Sequence, residues 1–477
     1  FELLFNSFFT SQIAVSTSDL PARLARQHAQ HLPDAEEKAA SSSDNEDADS
    51  STEAIMKSIW SAVLGLEKIG PNDDFFALNG DSLLGTQLMA QINRRFGSRL
   101  QIKTLFENPT VAGLSALIAE DNAPKDNTQE AESITPAAPA EDYPLTHGQK
   151  RLWILSQSRD ASVAYNMAYN MRLGGPLDTE ALQGAFACIV DRHESLRTAF
   201  VTREGAPRQI VRSGLPFMLP VRDLSGAGDP VEAAREAAKA EARRPFDLAQ
   251  PPLLRAELLR LSDEDHVLLV SLHHIVCDGL SLNVLMRELH RSYSALRDKA
   301  APTLPPLMLQ YRDFAVWQNR QIDSPAMAHH RAYWLDKLQG EIPALGLGNS
   351  RSTGRNRGFD GGQVFVTLAR TDRQLLEDLC REQQVTLFMV LTAVFKILLH
   401  QASGQEDVVI GTPVAGREVA ELDGQIGLYL NNLVLRDRIT RRESFKDLLR
   451  RVRTTVTDAF AHQSYPYDRL VEDLSSP

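Results

Sequence analysis

An acidic segment without large apolar residues divides this chain and prevents it from folding around a single core. Asp34–Glu53 contains eight acidic residues and one lysine. Such a segment cannot bury enough apolar surface to offset its ordering entropy, and its like charges repel one another. We therefore predict a flexible linker over residues 34–51. The 477 residues leave room for two to four domains of about 100–200 residues each.

A second break in composition runs over residues 121–142, where Pro124, Pro136 and Pro139 stand among Ala, Thr and Glu. This stretch is predicted to be a second linker. Three ordered regions remain: a short head over residues 1–33, a small module over 52–120 and a large region over 143–477. No internal repeat is visible.

The composition disfavours several classes of function. A net charge of −11 lacks the basic footprint that nucleic-acid binding needs. No apolar run reaches the roughly 18 residues that a membrane helix needs. Cys188, Cys277 and Cys380 lie far apart, which excludes a disulfide framework and a CxxC zinc pattern. The chain begins with Phe1 and shows no signal peptide. We therefore expect a cytoplasmic piece of a longer polypeptide, with neither nucleic acid nor membrane as a partner.

The small module has the apolar spacing of helices. Ile55, Ile59 and Val63 recur at helical intervals, and further periodic runs follow Asp81 and Pro109. About 70 residues in three or four helices form a small all-α bundle. Ser82 stands at a predicted helix start, where serine is a common N-cap. A helix start also favours a phosphate group, so a phosphodiester on this serine is the alternative.

The surroundings of this serine carry a specific resemblance. Asp73–Phe76 (DDFF) precedes Gly80-Asp81-Ser82-Leu83, and Leu105–Thr110 (LFENPT) follows. From Thr52 to Ile118 the module resembles a carrier protein domain of assembly-line synthetases, and it is closer to the peptidyl than to the polyketide type. The resemblance implies that a phosphopantetheinyl transferase attaches 4′-phosphopantetheine covalently to Ser82. The thiol of this cofactor would hold an acyl chain.

The large region alternates between helical and strand patterns, which is typical of an α/β fold. Apolar periodicity predicts helices over Leu182–Val190, Ser281–Leu296 and Leu387–Leu399. The nearly unbroken apolar run Val267–Leu272 predicts a buried strand, and Val408–Ile410 predicts another.

Two histidines follow the first of these strands, in His273-His274-Ile275-Val276-Cys277-Asp278-Gly279. Adjacent strand side chains point to opposite faces, so one imidazole can line a cavity while the other packs inward. The same divergence disfavours a metal site, and no third ligand is spaced nearby. A purely structural histidine remains possible. A neutral imidazole also suits proton removal from an attacking amine, and the Gly279 N–H could face a developing oxyanion.

This sequence resembles the HHxxxDG motif of condensation domains in non-ribosomal peptide synthetases, which are relatives of chloramphenicol acetyltransferase. Six stretches that match or resemble further family motifs occur in the expected order. They are Leu145–Trp153 (LTHGQKRLW), Arg192–Phe200 (RHESLRTAF), Tyr311–Gln318 (YRDFAVWQ), Ile410–Arg417 (IGTPVAGR), Ile426–Asn432 (IGLYLNN) and His462–Tyr467 (HQSYPY). The resemblance implies a two-lobe α/β fold. The family's final R-D-x-S-R-N-P motif is absent, so we expect the C-terminal lobe to be incomplete.

The resemblance also implies roles for the residues of the motif. His274 is the catalytic candidate, as a base or as a group that positions the amine. His273 orients the loop. Asp278 is structural and paired with an arginine, for which Arg197 is the candidate. No metal is implied, and Cys277 is expected to be a packed thiol without a role.

The head resembles the tail of ketoreductase regions in modular polyketide synthases, on the stretch Gln12–Leu24 (QIAVSTSDLPARL). This resemblance implies a hybrid assembly line with an upstream polyketide synthase module. Aminoacyl carrier and adenylation domains are the expected downstream partners. Two alternatives stay open: an epimerization domain with its carrier, and a non-catalytic carrier and docking scaffold. Heterocyclization is disfavoured because an aspartate motif would replace the two histidines.

Overall fold

The computed structural model describes residues 51–78, 80, 82–98, 100, 102–121, 133–347, 364 and 366–475. The predicted ketoreductase-like tail and nearly all of the acidic linker lie outside these residues. The second predicted linker is described from residue 133 onwards. There Ile134 packs on the core of the large region, and the Ala137 N–H donates to Asp313 Oδ1 at 2.8 Å.

The small module is a helical bundle, as predicted, and its described residues contain four helices where the sequence predicts three or four. The helices are α1 (Thr52–Leu64), α2 (Ser82–Phe96), α3 (Ile102–Glu107) and α4 (Val111–Asp121). Ser51 caps α1 by accepting a hydrogen bond from the Ala54 N–H at 3.2 Å. Trp60 and Phe75 fill the core, with their rings edge to face at 5.3 Å between centroids.

The large region begins with an N-terminal lobe built on two sheets. Its elements are β1 (Tyr143–Pro144), α5 (His147–Leu155), α6 (Arg159–Ala164), β2 (Asn166–Gly174), α7 (Thr179–Arg192), β3 (Thr198–Arg203), β4 (Ala206–Val211), β5 (Val221–Asp223), α8 (Pro230–Ala242), β6 (Leu254–Ser262), β7 (Asp265–His273), α9 (Gly279–Arg297) and α10 (Tyr311–Gln321). The strand orders are β2-β7-β6-β5 and β1-β4-β3, and only β5 and β6 pair in parallel. Because β7 is apolar and pairs with β2 on one side and β6 on the other, the loop after it begins from a strand fixed inside the sheet.

The C-terminal lobe contains more helix. Its elements are α11 (Pro325–Lys337), α12 (Arg370–Gln383), α13 (Leu387–Ser403), β8 (Asp407–Val414), β9 (Asn431–Arg438), α14 (Phe445–Ala461) and α15 (Tyr467–Ser475). The antiparallel pair of β8 and β9 packs against α13 and α14. A fully buried ion pair, Lys396 Nζ to Asp437 Oδ2 at 2.5 Å, joins α13 to β9.

Within the described ranges, no single helix is long and apolar enough to cross a membrane. The consecutive helices α12 and α13 meet the length and composition requirements only together, and they are bent by 102° relative to each other.

The helical bundle lies against the C-terminal lobe. Helix α3 packs on α14, and α2 contacts the 3₁₀ turn Ala420–Leu422 between β8 and β9. Phe106 of α3 stacks on Phe76 of the bundle and meets Phe460 of α14 edge to face, at 6.4 Å between centroids. The apolar cores of the bundle and of this lobe are therefore continuous.

Candidate active site

The two histidines belong to different local structures. Strand β7 ends at His273, which is opposite Asn166, and His274 opens a 3₁₀ turn over His274–Val276. The His274 N–H donates to the Tyr165 carbonyl at 2.9 Å, which continues the antiparallel register of β2 and β7 by one residue. His273 is completely buried, and its Nδ1 accepts a hydrogen bond from the Ile275 N–H at 3.1 Å. This contact ties the His273 side chain to the turn that follows it.

As a whole residue His274 is partly exposed, although its Nδ1 is buried and has no hydrogen-bond partner among the described residues, whereas His273 is completely buried. The ring of His274 lies edge to face with Tyr165, at 6.5 Å between centroids. Burial lowers the pKa of His274 below its ordinary value, and the positive charge of Arg151 acts in the same direction. Burial lowers the pKa of His273 to about 3. Both imidazoles are therefore neutral at neutral pH, and His274 is the partly exposed residue of the two.

The carboxylate of Asp278 accepts several hydrogen bonds that hold the histidine loop in place. Its Oδ1 caps α9 by accepting from the Ser281 N–H at 2.8 Å, and its Oδ2 accepts from the Tyr429 N–H at 3.1 Å. Arg417 Nη2 donates to Asp278 Oδ1 at 3.0 Å. Both charged side chains are almost wholly buried. The Asp278 carboxylate thus links the loop after β7 to the start of α9 and to the segment between β8 and β9.

The expectation that Arg197 is the partner of Asp278 is wrong. Arg197 donates to the Arg212 carbonyl at 2.7 Å and lies 3.7 Å from the Glu194 carboxylate. The structure gives the role to Arg417, which sequence reasoning placed in the IGTPVAGR stretch without assigning it a function. A sequence signal was present in the preceding glycine. Gly416 has φ +64°, and a Cβ there would lie 1.9 Å from the Tyr429 carbonyl oxygen, so this turn is built for close packing.

Gln149 is a second residue to which sequence reasoning gave no role. Its Nε2 donates to the Ile275 carbonyl at 3.2 Å, which links the LTHGQKRLW stretch to the histidine loop. Thr146 and Gln149 form a capping box at the start of α5. The hydroxyl of Tyr311 lies 3.0 Å from Thr146 Oγ1 and donates to the Leu428 carbonyl at 2.7 Å. The LTHGQKRLW stretch therefore contacts the histidine loop, and it is joined through Tyr311 to the IGLYLNN stretch.

Gly279 and Cys277 flank the aspartate. Gly279 is the first residue of α9 and exposed, and no atom lies within 4 Å of the position a Cβ would occupy. Its N–H is at a helix start, where amides lack intrahelical acceptors. Cys277 is completely buried, and this burial raises the pKa of its thiol. Among the described residues, no group of three or more His, Cys, Asp or Glu side chains is arranged to hold a metal ion.

The predicted cofactor site lies at the start of α2, a helix of 15 residues that begins at Ser82. The first amides of such a helix favour an anionic group. The Gly80 N–H donates to the Phe75 carbonyl at 2.9 Å, and a Cβ on Gly80 would lie 2.3 Å from the Phe75 ring. Gly80 is therefore closely packed on Phe75, two positions before α2 begins. A phosphodiester at this helix start is compatible with the observed geometry.

Comparisons with known proteins define the class. Residues 139–477 match the family model described as the condensation domain, and residues 54–118 match the phosphopantetheine attachment site. The chain therefore belongs to the condensation domain family, and its helical module is a carrier whose cofactor is covalent 4′-phosphopantetheine. The large region has the two-lobe fold related to chloramphenicol acetyltransferase.

Individual relatives are peptide synthetases of Brevibacillus parabrevis. The chain is 39% identical over 425 residues to a component of linear gramicidin synthase, covering 89% of this chain and 8% of that protein. It is 38% identical over 443 residues to tyrocidine synthase 3, covering 93% of this chain and 7% of that protein. The chain thus spans less than a tenth of the length of either relative.

Solved structures of related domains share the fold. The chain resembles the X-domain from teicoplanin biosynthesis, with a TM-score of 0.67, 26% identity, and coverage of 72% of this chain and 76% of that one. It also resembles the first condensation domain of the calcium-dependent antibiotic synthetase, with a TM-score of 0.60, 25% identity, and coverage of 71% and 78%.

Proposed function

We propose that this chain forms an amide bond within an assembly line. The carrier holds an acyl chain as a thioester, and the condensation domain transfers that chain to the amine of an aminoacyl group on a downstream carrier. The observation that carries the proposal is the partly exposed residue His274, with a neutral imidazole, on a loop fixed by the buried Asp278–Arg417 pair. The carrier bundle packs against the same domain.

Different residues in and around the histidine loop would serve different steps of amide formation. A phosphopantetheine arm on the carrier would supply the thioester carbonyl. His274 would hold the attacking amine and accept its proton as the new C–N bond forms, and its lowered pKa keeps the imidazole in the accepting state. The thioester C–S bond would then break, and the proton held by His274 would pass to the leaving thiolate. The exposed Gly279 N–H would donate to the oxygen that becomes negative. Asp278 and Arg417 would keep the loop in place without moving protons.

The decisive test is His274→Ala in the intact synthetase, with amide formation followed by mass spectrometry. Loss of a general base is expected to slow the reaction by about 10²–10⁴-fold. His290→Ala is a matched control, because His290 is an exposed histidine on α9. Near-normal condensation by the His274 variant would contradict the proposed role, and equal losses in both variants would point to a folding defect.

Ser82 is the proposed attachment residue for the cofactor. Treatment of the chain with coenzyme A and a broad phosphopantetheinyl transferase should add the mass of one arm. Ser82→Ala should add none, whereas Ser61→Ala, a serine within α1 of the same bundle, should load normally. An arm on the Ser82 variant would move the attachment to another residue.

The donor and the wider partners form the finer part of the proposal. The QIAVSTSDLPARL stretch supports an upstream polyketide module, and the condensation domain would then accept a β-hydroxyacyl chain. Aminoacyl carrier and adenylation domains would act downstream, and the assembly line would work in the cytoplasm. Competition between matched β-hydroxyacyl and aminoacyl donors on Ser82 tests this point. Clear preference for the aminoacyl donor would favour a peptide–peptide junction.

A further inference from the structure

A path of aromatic rings runs from the core of the carrier into the condensation domain. Trp60 meets Phe75 edge to face at 5.3 Å between ring centroids, and Phe75 meets Phe76 in the same way. Phe76 stacks on Phe106 at 5.1 Å, with 4° between the ring planes. Phe460 of α14 then meets Phe106 edge to face at 6.4 Å. Phe106 is therefore the carrier residue at which this path passes into the other domain.

The position of Phe106 on α3 distinguishes it from the residues of the bundle's own core. Leu105, one position earlier, is completely buried, whereas Phe106 is only partly buried. The two side chains leave the helix in different directions, because successive residues are about 100° apart. The stack of Phe106 on Phe76 lies within the carrier, so it orders the ring and lowers the entropy that docking would cost. Phe106 thus has the properties of a preorganised aromatic anchor.

The C-terminal lobe receives the bundle at two places. Helix α3 packs on α14, where the ring of Phe460 is buried near the end of the helix. Helix α2, which begins at Ser82, touches the 3₁₀ turn Ala420–Leu422. Because the two contacts involve different helices of the bundle, together they fix its orientation as well as its position.

The 3₁₀ turn is joined to the histidine loop by one side chain. Arg417 Nη1 donates to the Leu422 carbonyl, and its Nη2 donates to Asp278 Oδ1 at 3.0 Å. Both Arg417 and Asp278 are almost wholly buried. The surface that receives the carrier and the loop that carries His274 are therefore connected by buried hydrogen bonds.

We propose that the condensation domain recognises its donor carrier through the contact between Phe106 and Phe460. The inference deepens the proposed function and rests on it, since it names the pair that presents a donor on Ser82 to the domain. The partner that this surface fits is a carrier bundle with an aromatic ring on its third helix, next to a residue of its own core. Phe106 is a positioning residue, because it contacts the domain and acts on the reaction only through the placement of the carrier.

Relaxation of the backbone amide nitrogens of the carrier measures docking without any chemistry. A docked carrier tumbles with the whole chain, whereas an undocked carrier reorients faster. Phe106→Leu and Phe460→Leu should each raise the ratio of undocked to docked carrier about three- to tenfold, which corresponds to the loss of one aromatic pair. The double variant should add little to either single variant, because both remove the same contact.

Phe395→Leu is the matched control, since Phe395 is an exposed phenylalanine on α13. It should leave the reorientation of the carrier unchanged. Equal effects of the Phe395 and Phe106 variants, additive effects of the Phe106 and Phe460 substitutions, or an unchanged carrier in the double variant would each overturn the inference.

The second experiment separates recognition from folding of the carrier. Phe460→Leu lies outside the carrier, so phosphopantetheinyl transferase should load Ser82 of this variant as it loads the parent chain. In the intact synthetase the variant should slow transfer of an acyl chain from Ser82 about three- to tenfold, and leave transfer from a free pantetheine thioester unchanged. Equal losses with both donors would refute carrier recognition. A synthetase without condensation activity would refute the proposed function, whereas the relaxation measurement would still decide the docking contact.

Discussion

Replacing Asp278 by alanine tests the architecture of the site most directly. The substitution removes the partner of a buried guanidinium, the N-cap of α9 and the acceptor of the Tyr429 N–H in one step. Arg417 would keep its bonds to the Leu422 and Gln425 carbonyls but lose its only carboxylate partner among the described residues. The variant is therefore expected to open the histidine loop and the start of α9.

The magnitude follows from the burial of the pair. Removing one partner of a buried ion pair costs about 3–5 kcal/mol, because the other charge stays in a medium of low dielectric. Loss of an N-cap typically contributes about 1 kcal/mol to such a change, and the two effects share Asp278 and so do not simply add. Since each factor of ten corresponds to about 1.4 kcal/mol, the protection of the first α9 amides against hydrogen exchange should fall by about 10²–10⁴-fold.

Amide hydrogen exchange at the start of α9 is a suitable assay, because it reports local opening in a chain with several domains. A double-mutant cycle then identifies the partner. Asp278→Ala and Arg417→Met should be strongly non-additive, whereas Asp278→Ala and Arg197→Ala should be additive, since Arg197 contacts Glu194 and the Arg212 carbonyl instead. A loss of protection below about tenfold, or coupling with Arg197 rather than Arg417, would refute this reasoning.

Three further predictions concern His274, Gly416 and Lys396. The lowered pKa of His274 keeps the imidazole neutral as the pH falls, so the acid limb of the condensation rate should lie below pH 6.5, the ordinary pKa of histidine; a midpoint above 6.5 would contradict this. Gly416→Ala should lower the melting temperature strongly, because Gly416 has φ +64° and an added Cβ would collide with the Tyr429 carbonyl. Gly226→Ala is the control and should leave the melting temperature nearly unchanged, because no atom lies within 4 Å of the position its Cβ would occupy. Lys396→Met should cost about 3–5 kcal/mol in chemical denaturation by leaving Asp437 unpaired, and adding Asp437→Leu should recover much of the loss.

The order of the helical module and the α/β region could be read from sequence, because both depend on local patterns. Helical periodicity is a short-range property, and it placed α1, α2 and α4 of the carrier and α7, α9 and α13 of the condensation domain. The apolar run before the two histidines gave β7 for the same reason. The motif residues from His273 to Gly279 adjoin one another in the chain, so their proximity needed no tertiary information.

The partners of those residues were decided by tertiary structure alone. Arg417 lies 139 positions from Asp278, and no local pattern distinguishes it from Arg197, which stands in an equally good motif. The start of the histidine loop is held on β2 by the hydrogen bond from the His274 N–H to the Tyr165 carbonyl, a contact between distant segments. The docking of α2 on Ala420–Leu422 likewise arises only when the two lobes and the carrier pack together. Periodicity specifies which face of an element is buried, whereas the pairing of buried charges is set by where the folded chain brings them.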